Sequence, residues 1–342
     1  MTSIPHRGAG RSDRVDSTAL DGITFQRVAE RDHTAALGVL LTGGSRGAEA
    51  AVAHFKAFAV EQGLSLEHLW SANRSGRCIA AALVVPNAGR TGMLFVSPVR
   101  RRQMVPIVAE LVRQFCGSIR ETPLVLVQAL LDPGQTLEAE AIERAGACRL
   151  AKLIYMQRRA DLPLEDLDLP EGMHALEWSE RHRRLFERAI EQSYEGTLDC
   201  PGLVGLRSVR DVIEGHMAAG EFDPAMWTVV MAGDCPAGVM LLNGVPQREA
   251  VELVYLGLAP RWRGRGLGGR LLKRAIGLAA RRGARHVILA VDQNNAPAVH
   301  LYRSLRFAAS ARKLAMLFIL SAKGRENAGF STPSPDSPAR GG

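Results

Sequence analysis

The order of elements in the first half of this chain recurs in the second half. A strand-like stretch ends at Pro98, and a basic turn, a helix-like stretch, an apolar strand, Asp132, a helix and an alternating strand follow. The same order returns around Pro260 and Asp292, at an offset of about 160 residues. A repeat this long is a duplicated domain; solenoid repeats run at roughly 20–50 residues. The 342 residues leave room for two such units at ~150 residues each. Strand-like and helix-like stretches alternate throughout, so the fold class is α/β or mixed α+β.

In the first unit the patterning predicts strands at 23–30, 77–87, 91–98, 123–131 and 148–159, and helices at 105–120 and 136–146. Thr136 is the expected N-cap of the latter and Gly146 its stop. In the second unit it predicts strands at 173–180, 226–233, 237–245, 250–260, 286–292 and 308–320. Helices are expected at 183–194, 208–220 opened by Ser208, 266–283 and 296–305. The acid- and proline-rich stretch 161–171 is the expected linker, between a domain at 21–160 and another at 172–321. Residues 1–20 and 322–342, rich in small and polar residues, are expected to be disordered tails.

Composition excludes several classes. No apolar run approaches the ~18 residues of a membrane span, and the N-terminus lacks the apolar centre of a signal peptide. The five cysteines are widely and singly spaced and the histidines are scattered, which suits reduced thiols, no metal site and a cytoplasmic protein. The formal net charge is +8. Arg261, Arg263, Arg265, Arg270, Lys273, Arg274, Arg281, Arg282 and Arg285 form one run with no acid among them. Most such runs are solvated helix faces. This one lies on a glycine-rich turn and the helix after it, which suits an anionic ligand and argues against a nucleic-acid groove.

That turn, Leu258 to Gly269, joins an apolar strand to an amphipathic helix. Glycines let consecutive backbone N–H groups converge on one concavity, and the helix start adds roughly half a positive charge. Arg263 and Arg265 add full charges. Together they describe a pyrophosphate site. No P-loop motif is present. The glycines do match G-x-G-x-x-G, but Asp292 lies about 28 residues on rather than ~20. The preceding strands also read as antiparallel, which speaks against a dinucleotide fold.

The residues that narrow the choice are Arg261-x-x-Gly264-x-Gly266 after Leu258-Ala259-Pro260, followed by Asn295-x-x-Ala298-x-x-Leu301-Tyr302. Both resemble signatures of the GNAT acetyltransferase superfamily, in the family's order, over about 172–320. Arg306 stands where the family commonly has glycine. The resemblance implies two tandem domains, each a mixed, mostly antiparallel sheet flanked by helices, in the manner of mycothiol synthase-like proteins. It implies acetyl-CoA as co-substrate, a small-molecule or peptide amine as acceptor, and direct attack in a ternary complex. The N–H groups from Arg263 through Gly264, Arg265, Gly266 and Leu267 to Gly268 would hold the pyrophosphate, and Asn295 the pantetheine arm. A splay between strands 250–258 and 286–292 would admit that arm. The Leu258 N–H would polarise the thioester carbonyl, and Tyr302 would protonate the leaving thiolate.

Glu252, six residues before Leu258, stands where some members of the family carry a general base, although the position also suits an exposed strand carboxylate. Asp292 is a second candidate. Glu195, Asp199 and Cys200 lie in a polar loop expected to touch the acceptor. The first unit departs from the signatures: Arg102 and Met104 replace Gly264 and Gly266, Gln135 replaces Asn295, and Ile142 replaces Tyr302. It reads as a degenerate copy. Two other readings of the chain stand beside transfer to an amine: a tandem transferase fed by charged tRNA, and a non-catalytic CoA-binding regulator.

Overall fold

The computed structural model describes residues 20–45, 47–163 and 168–320; the expected tails and part of the expected linker lie outside them. The first unit comprises β1 (Ile23–Arg27), α1 (His33–Thr42), α2 (Ala48–Glu61), β2 (Leu69–Arg74), β3 (Arg77–Asn87) and β4 (Thr91–Val96). It continues with α3 (Val105–Ser118), β5 (Leu126–Leu131), α4 (Thr136–Arg144) and β6 (Cys148–Arg159). The second comprises β7 (Met173–Glu177), α5 (Arg183–Tyr194), α6 (Val209–Met217), β8 (Glu221–Phe222), β9 (Thr228–Ala232), β10 (Cys235–Val245) and β11 (Ala250–Leu258). It ends with α7 (Leu267–Arg281), β12 (His286–Asp292), α8 (Ala296–Ser304) and β13 (Ala308–Ile319).

Most expected elements are present, with ends that differ by a few residues. Ser208 caps α6, its hydroxyl accepting from the Asp211 N–H at 3.1 Å. Thr136 is the first helical residue of α4 and Gln135 takes the cap position, a correction of one residue. The helices α1 and α2 and the strand β2 had no clear pattern. Alanine, leucine, valine and glycine run around most of α1 and alanine around most of α2, so neither shows a sharp apolar stripe.

All strands join one sheet in the order β1-β2-β3-β4-β5-β13-β6-β12-β11-β10-β9-β7, with β8 against β10. Neighbours are antiparallel except β4–β5 and β11–β12. The order is symmetric about β13–β6, and the symmetry includes an exchange. The last strand of the second unit, β13, lies between β5 and β6, while the last strand of the first, β6, pairs with β12. Each unit's sheet is thus continued by a strand from the other.

Helices bury their apolar faces on this sheet. Ile107, Leu111, Val112 and Phe115 of α3 are buried in the first core, and Leu271, Leu272, Ala275, Ile276 and Ala279 of α7 in the second. A smaller cluster bridges the units. Leu203 and Leu206, between α5 and α6, pack on Leu126, Leu150 and Leu317. Beside it Arg207 donates to the carbonyl of Gly89 in the β3–β4 turn at 3.1 Å. The loop that follows α5 is therefore anchored on the other unit.

Candidate functional site

Strands β11 and β12 pair only over Ala250–Glu252 and His286–Ile288, then part. On β10, Leu241 and Leu242 face Tyr255 and Leu253, so Val254 is an extra residue in β11; a bulge of this kind bends its strand. The gap is a cavity of about 440 Å³ lined by Leu253–Leu258, Ala290 of β12, the turn glycines, α8 and the loop after α5. The expected splay is present.

The N–H of Ala259 donates to Ala237 of β10 at 3.1 Å. Strand alternation turns the preceding N–H, that of Leu258, to the opposite edge, where β12 has diverged. At the turn, Gly264 and Gly266 have φ of +72° and +81°, conformations that side chains disfavour. A Cβ at either would meet nothing within 4 Å, so the space before the turn is open. Gly266 caps α7, leaving its own N–H and those of Leu267, Gly268 and Gly269 without helical partners. Convergent amides, an open cradle and a helix start suit an anion.

The arginines are used differently from the expectation. The Arg263 guanidinium donates to the carbonyls of Ser193, Glu195, Gly196 and Leu258 at 2.8–3.2 Å. It ties the end of α5 to the end of β11, so its charge serves the loop, although its side chain still lines the cavity. Arg265 stacks over Trp262, 5.3 Å from the ring centre, and Leu267 is buried in the core.

From the other wall, Asn295 accepts from the Ala298 N–H at 3.3 Å and so caps α8. Two turns on, Tyr302 is 7% exposed. Burial, with a smaller contribution from Asp199, raises its phenol above the usual range, so it stays protonated at neutral pH. On α5, Ser193 donates to the carbonyl of Ile190 and accepts from the hydroxyl of Tyr255 of β11, both at 2.7 Å. His216 of α6 stands 5.4 Å from the Tyr255 ring. Burial, helped by Arg207, lowers its pKa to about 4.

The loop after α5 closes one side. Asp199 accepts the backbone N–H of Asp292 at 2.9 Å, and the Asp292 carboxylate accepts from Cys200 at 3.4 Å and Asn294 at 2.9 Å. Asp292 is 2% exposed. Asp199 keeps surface open to the cleft, yet burial by the protein around it raises its carboxyl above the usual aspartate range; the Asp292 N–H opposes this and the Asp292 charge adds to it.

Of the residues singled out, Leu258, Arg263, Gly264, Gly266, Gly268, Asn295, Tyr302 and Asp199 line one cavity. Arg265, Leu267, Glu195 and Glu252 do not line it. Glu252 is half-buried; burial raises its carboxyl, Arg248 opposes this, and its charge raises the phenol of Tyr155 on β6. The sequence did not single out Tyr194, Ser193 or Tyr255, nor the link from Asp199 to Asp292. These meet only through folding, from α5, β11 and β12, and no local spacing marks them.

The equivalent cleft of the first unit is filled from within. Strands β4 and β5 pair only over Thr91–Met93 and Leu126–Gln128. The buried Glu138 of α4 accepts the N–H of Val99 at 2.8 Å, and Ile142 is fully buried. Arg100 donates to the Thr42 carbonyl at 2.9 Å and Arg102 pairs with Glu140 at 3.5 Å.

Residues 176–307 match the model of the Acetyltransferase (GNAT) family. Over those residues, which make up most of the second unit, the chain carries a GNAT acetyltransferase domain. Streptothricin acetyltransferase from Streptomyces lavendulae is 37% identical over 113 residues, 33% of this chain and 60% of that enzyme's length. A mycothiol acetyltransferase from Clavibacter michiganensis subsp. michiganensis is 28% identical over 244 residues, 68% of this chain and 74% of the relative. The structure of a GCN5-related N-acetyltransferase from Sphaerobacter thermophilus superposes with a TM-score of 0.56 at 20% identity, covering 88% of this chain and 96% of that one. The two units share one order of sheet strands, and the GNAT match lies in the second. No helix among the described residues is long and apolar enough to cross a membrane. Among the same residues, no group of three or more His, Cys, Asp or Glu is placed to hold a metal.

Proposed function

We propose that the second unit, 172–321, moves an acetyl group from acetyl-CoA to a primary amine by direct attack in a ternary complex, and that 21–160 is a degenerate partner domain. The observation that carries this reading is the single cavity shared by the glycine turn, the β11 edge at Leu258 and the Tyr302 phenol. The open cradle at Gly264 and Gly266 fits a pyrophosphate, since the space that a side chain would fill is left clear there.

When bound, acetyl-CoA supplies a thioester carbonyl open to attack by an amine. The amides from Gly264 to Gly269 would hold the pyrophosphate, and Asn295 would border the pantetheine arm. The Leu258 N–H, turned to the splayed edge, would donate to the carbonyl oxygen where charge develops. Tyr302, kept protonated by burial, would give its proton to the departing thiolate. A small-molecule or peptide amine would enter between the loop after α5 and β11. A cytoplasmic setting, where acetyl-CoA is made and used, fits this chemistry.

The test is calorimetric titration of acetyl-CoA into wild type, Gly264→Glu and Gly283→Ala. Gly283 also has positive φ, +73°, with nothing near its missing Cβ, so it controls for backbone strain. Binding should survive Gly283→Ala and disappear in Gly264→Glu. Binding unchanged in Gly264→Glu would place the ligand elsewhere, and none to the wild type would overturn the reading.

A further inference from the structure

Direct attack needs a free amine, and an amine in water near neutral pH is an ammonium ion, so some group in the cavity must take a proton. The expected base, Glu252, does not line the cavity. Among the described residues Asp199 is the one carboxylate that does. It is held in place from both sides. Arg263 fixes the carbonyls of Glu195 and Gly196 at the start of the loop, and the N–H of Asp292, the last residue of β12, fixes one Asp199 oxygen at its end. The other oxygen takes no hydrogen bond and no ion pair among the described residues.

The neighbours of Asp199 carry no compensating charge. Asp292 stands beside it on β12, Tyr302 faces it from α8, Tyr255 from β11, and Cys200 follows it on the loop. Arg263, the cation lining the cavity, is occupied by four carbonyls. An acceptor that fills the cleft would cover Asp199 and cut it off from water. Covering a carboxylate is costly unless a cation arrives with it. A protonated amine brings that cation.

We propose that Asp199 receives the ammonium of a cationic amine acceptor and takes its proton, with Asp292 as a positioning residue behind it. This rests on the acetyl-transfer reading above. The step balances within the site. An ammonium N–H bond breaks, and its proton goes to the Asp199 carboxylate. The freed lone pair forms the new N–C bond to the acetyl carbon, the C–S bond breaks, and the thiolate takes the proton of Tyr302. A second N–H proton on the product nitrogen leaves to water as the one net proton released, and once the product has left, the proton on Asp199 passes by way of water to the Tyr302 phenolate, which resets both groups.

The base must be ionised to act, so the rate rises with pH through the titration of Asp199. The like charge of Asp292 lifts that titration, so its removal must move the rising limb to lower pH. The experiment follows thiol release from acetyl-CoA with glucosamine, spermidine and lysine amide as probes, across pH, with acetyl-CoA binding measured beside it. The Asp199→Asn variant keeps an oxygen for the Asp292 N–H, which guards the fold. It should bind acetyl-CoA as the wild type does, lose about 100-fold in kcat/KM and lose the rising limb. Asp292→Asn should shift that limb to lower pH, and Glu252→Gln should leave it in place. A wild-type limb in Asp199→Asn overturns the proposal, as does its loss in Glu252→Gln or a wild type that binds acetyl-CoA and turns over none of the probes. Failure of the wild type to bind acetyl-CoA instead overturns the acetyl-transfer reading, and this proposal with it.

Discussion

Tyr302 and His216 show how burial sets what one side chain can do. A phenol held in its neutral form is a poor base and a usable acid. Tyr302→Phe should leave acetyl-CoA affinity unchanged and lower kcat by about 100-fold, read in single-turnover assays. His216 bears on stability. Its pKa falls to about 4 in the folded chain, against ~6.5 unfolded. The unfolded chain therefore binds more protons between those values, so folding weakens as pH falls from 6.5 towards 4. The loss reaches about 3 kcal/mol. Chemical denaturation at neutral and at acid pH should show a smaller drop in His216→Gln than in wild type; equal drops would rule His216 out as the cause.

At the scale of elements, the loop after α5 is joined to the end of β11 through one guanidinium. Arg263→Ala would leave four carbonyls short of a donor. It should cost ~1–2 kcal/mol and speed amide exchange across residues 194–200 while α7 stays protected. Arg263→Lys should rescue little, because an ammonium cannot reach the same spread of acceptors. This residue also shows how far the sequence could be read. Gly264, Gly266, Asn295 and Tyr302 were legible because turn geometry, capping and helical spacing are local, and local patterns survive in sequence. The side-chain duty of Arg263 was not, because three of its four partners lie about 70 residues away in the chain. That Glu252 does not line the cavity was hidden for a similar reason: the strand can be read from sequence, but the bulge at Val254 and the face that borders the cavity are properties of the pairing. The same limit hid the exchange of β6 and β13, since each strand reads alike whichever sheet receives it.

For the whole molecule, that exchange ties the two units into one cooperative body. With β13 between β5 and β6, neither unit can complete its sheet alone. Calorimetry should give one unfolding transition. Chains 20–163 and 168–320, expressed separately, should each fail to fold, and together should form a complex that binds acetyl-CoA. A cooperative melt from 20–163 by itself would show that the exchange is dispensable. The first unit therefore has work to do without a ligand: it supplies β6, one strand of the central pair, and it supports Leu206 and Arg207 at the foot of the loop after α5.

The position of β13 also sets an order of events on the ribosome. It is the last strand of the described chain to be translated, yet its place is at the centre of the sheet. Until it emerges, the long edge of β5 stands bare and β6 has no neighbour on that side. For most of synthesis the nascent chain carries open strand edges, which are the surfaces that pair wrongly with other chains. Faster translation or a missing C-terminal strand should thus appear first as aggregation of the first unit, far in sequence from the defect.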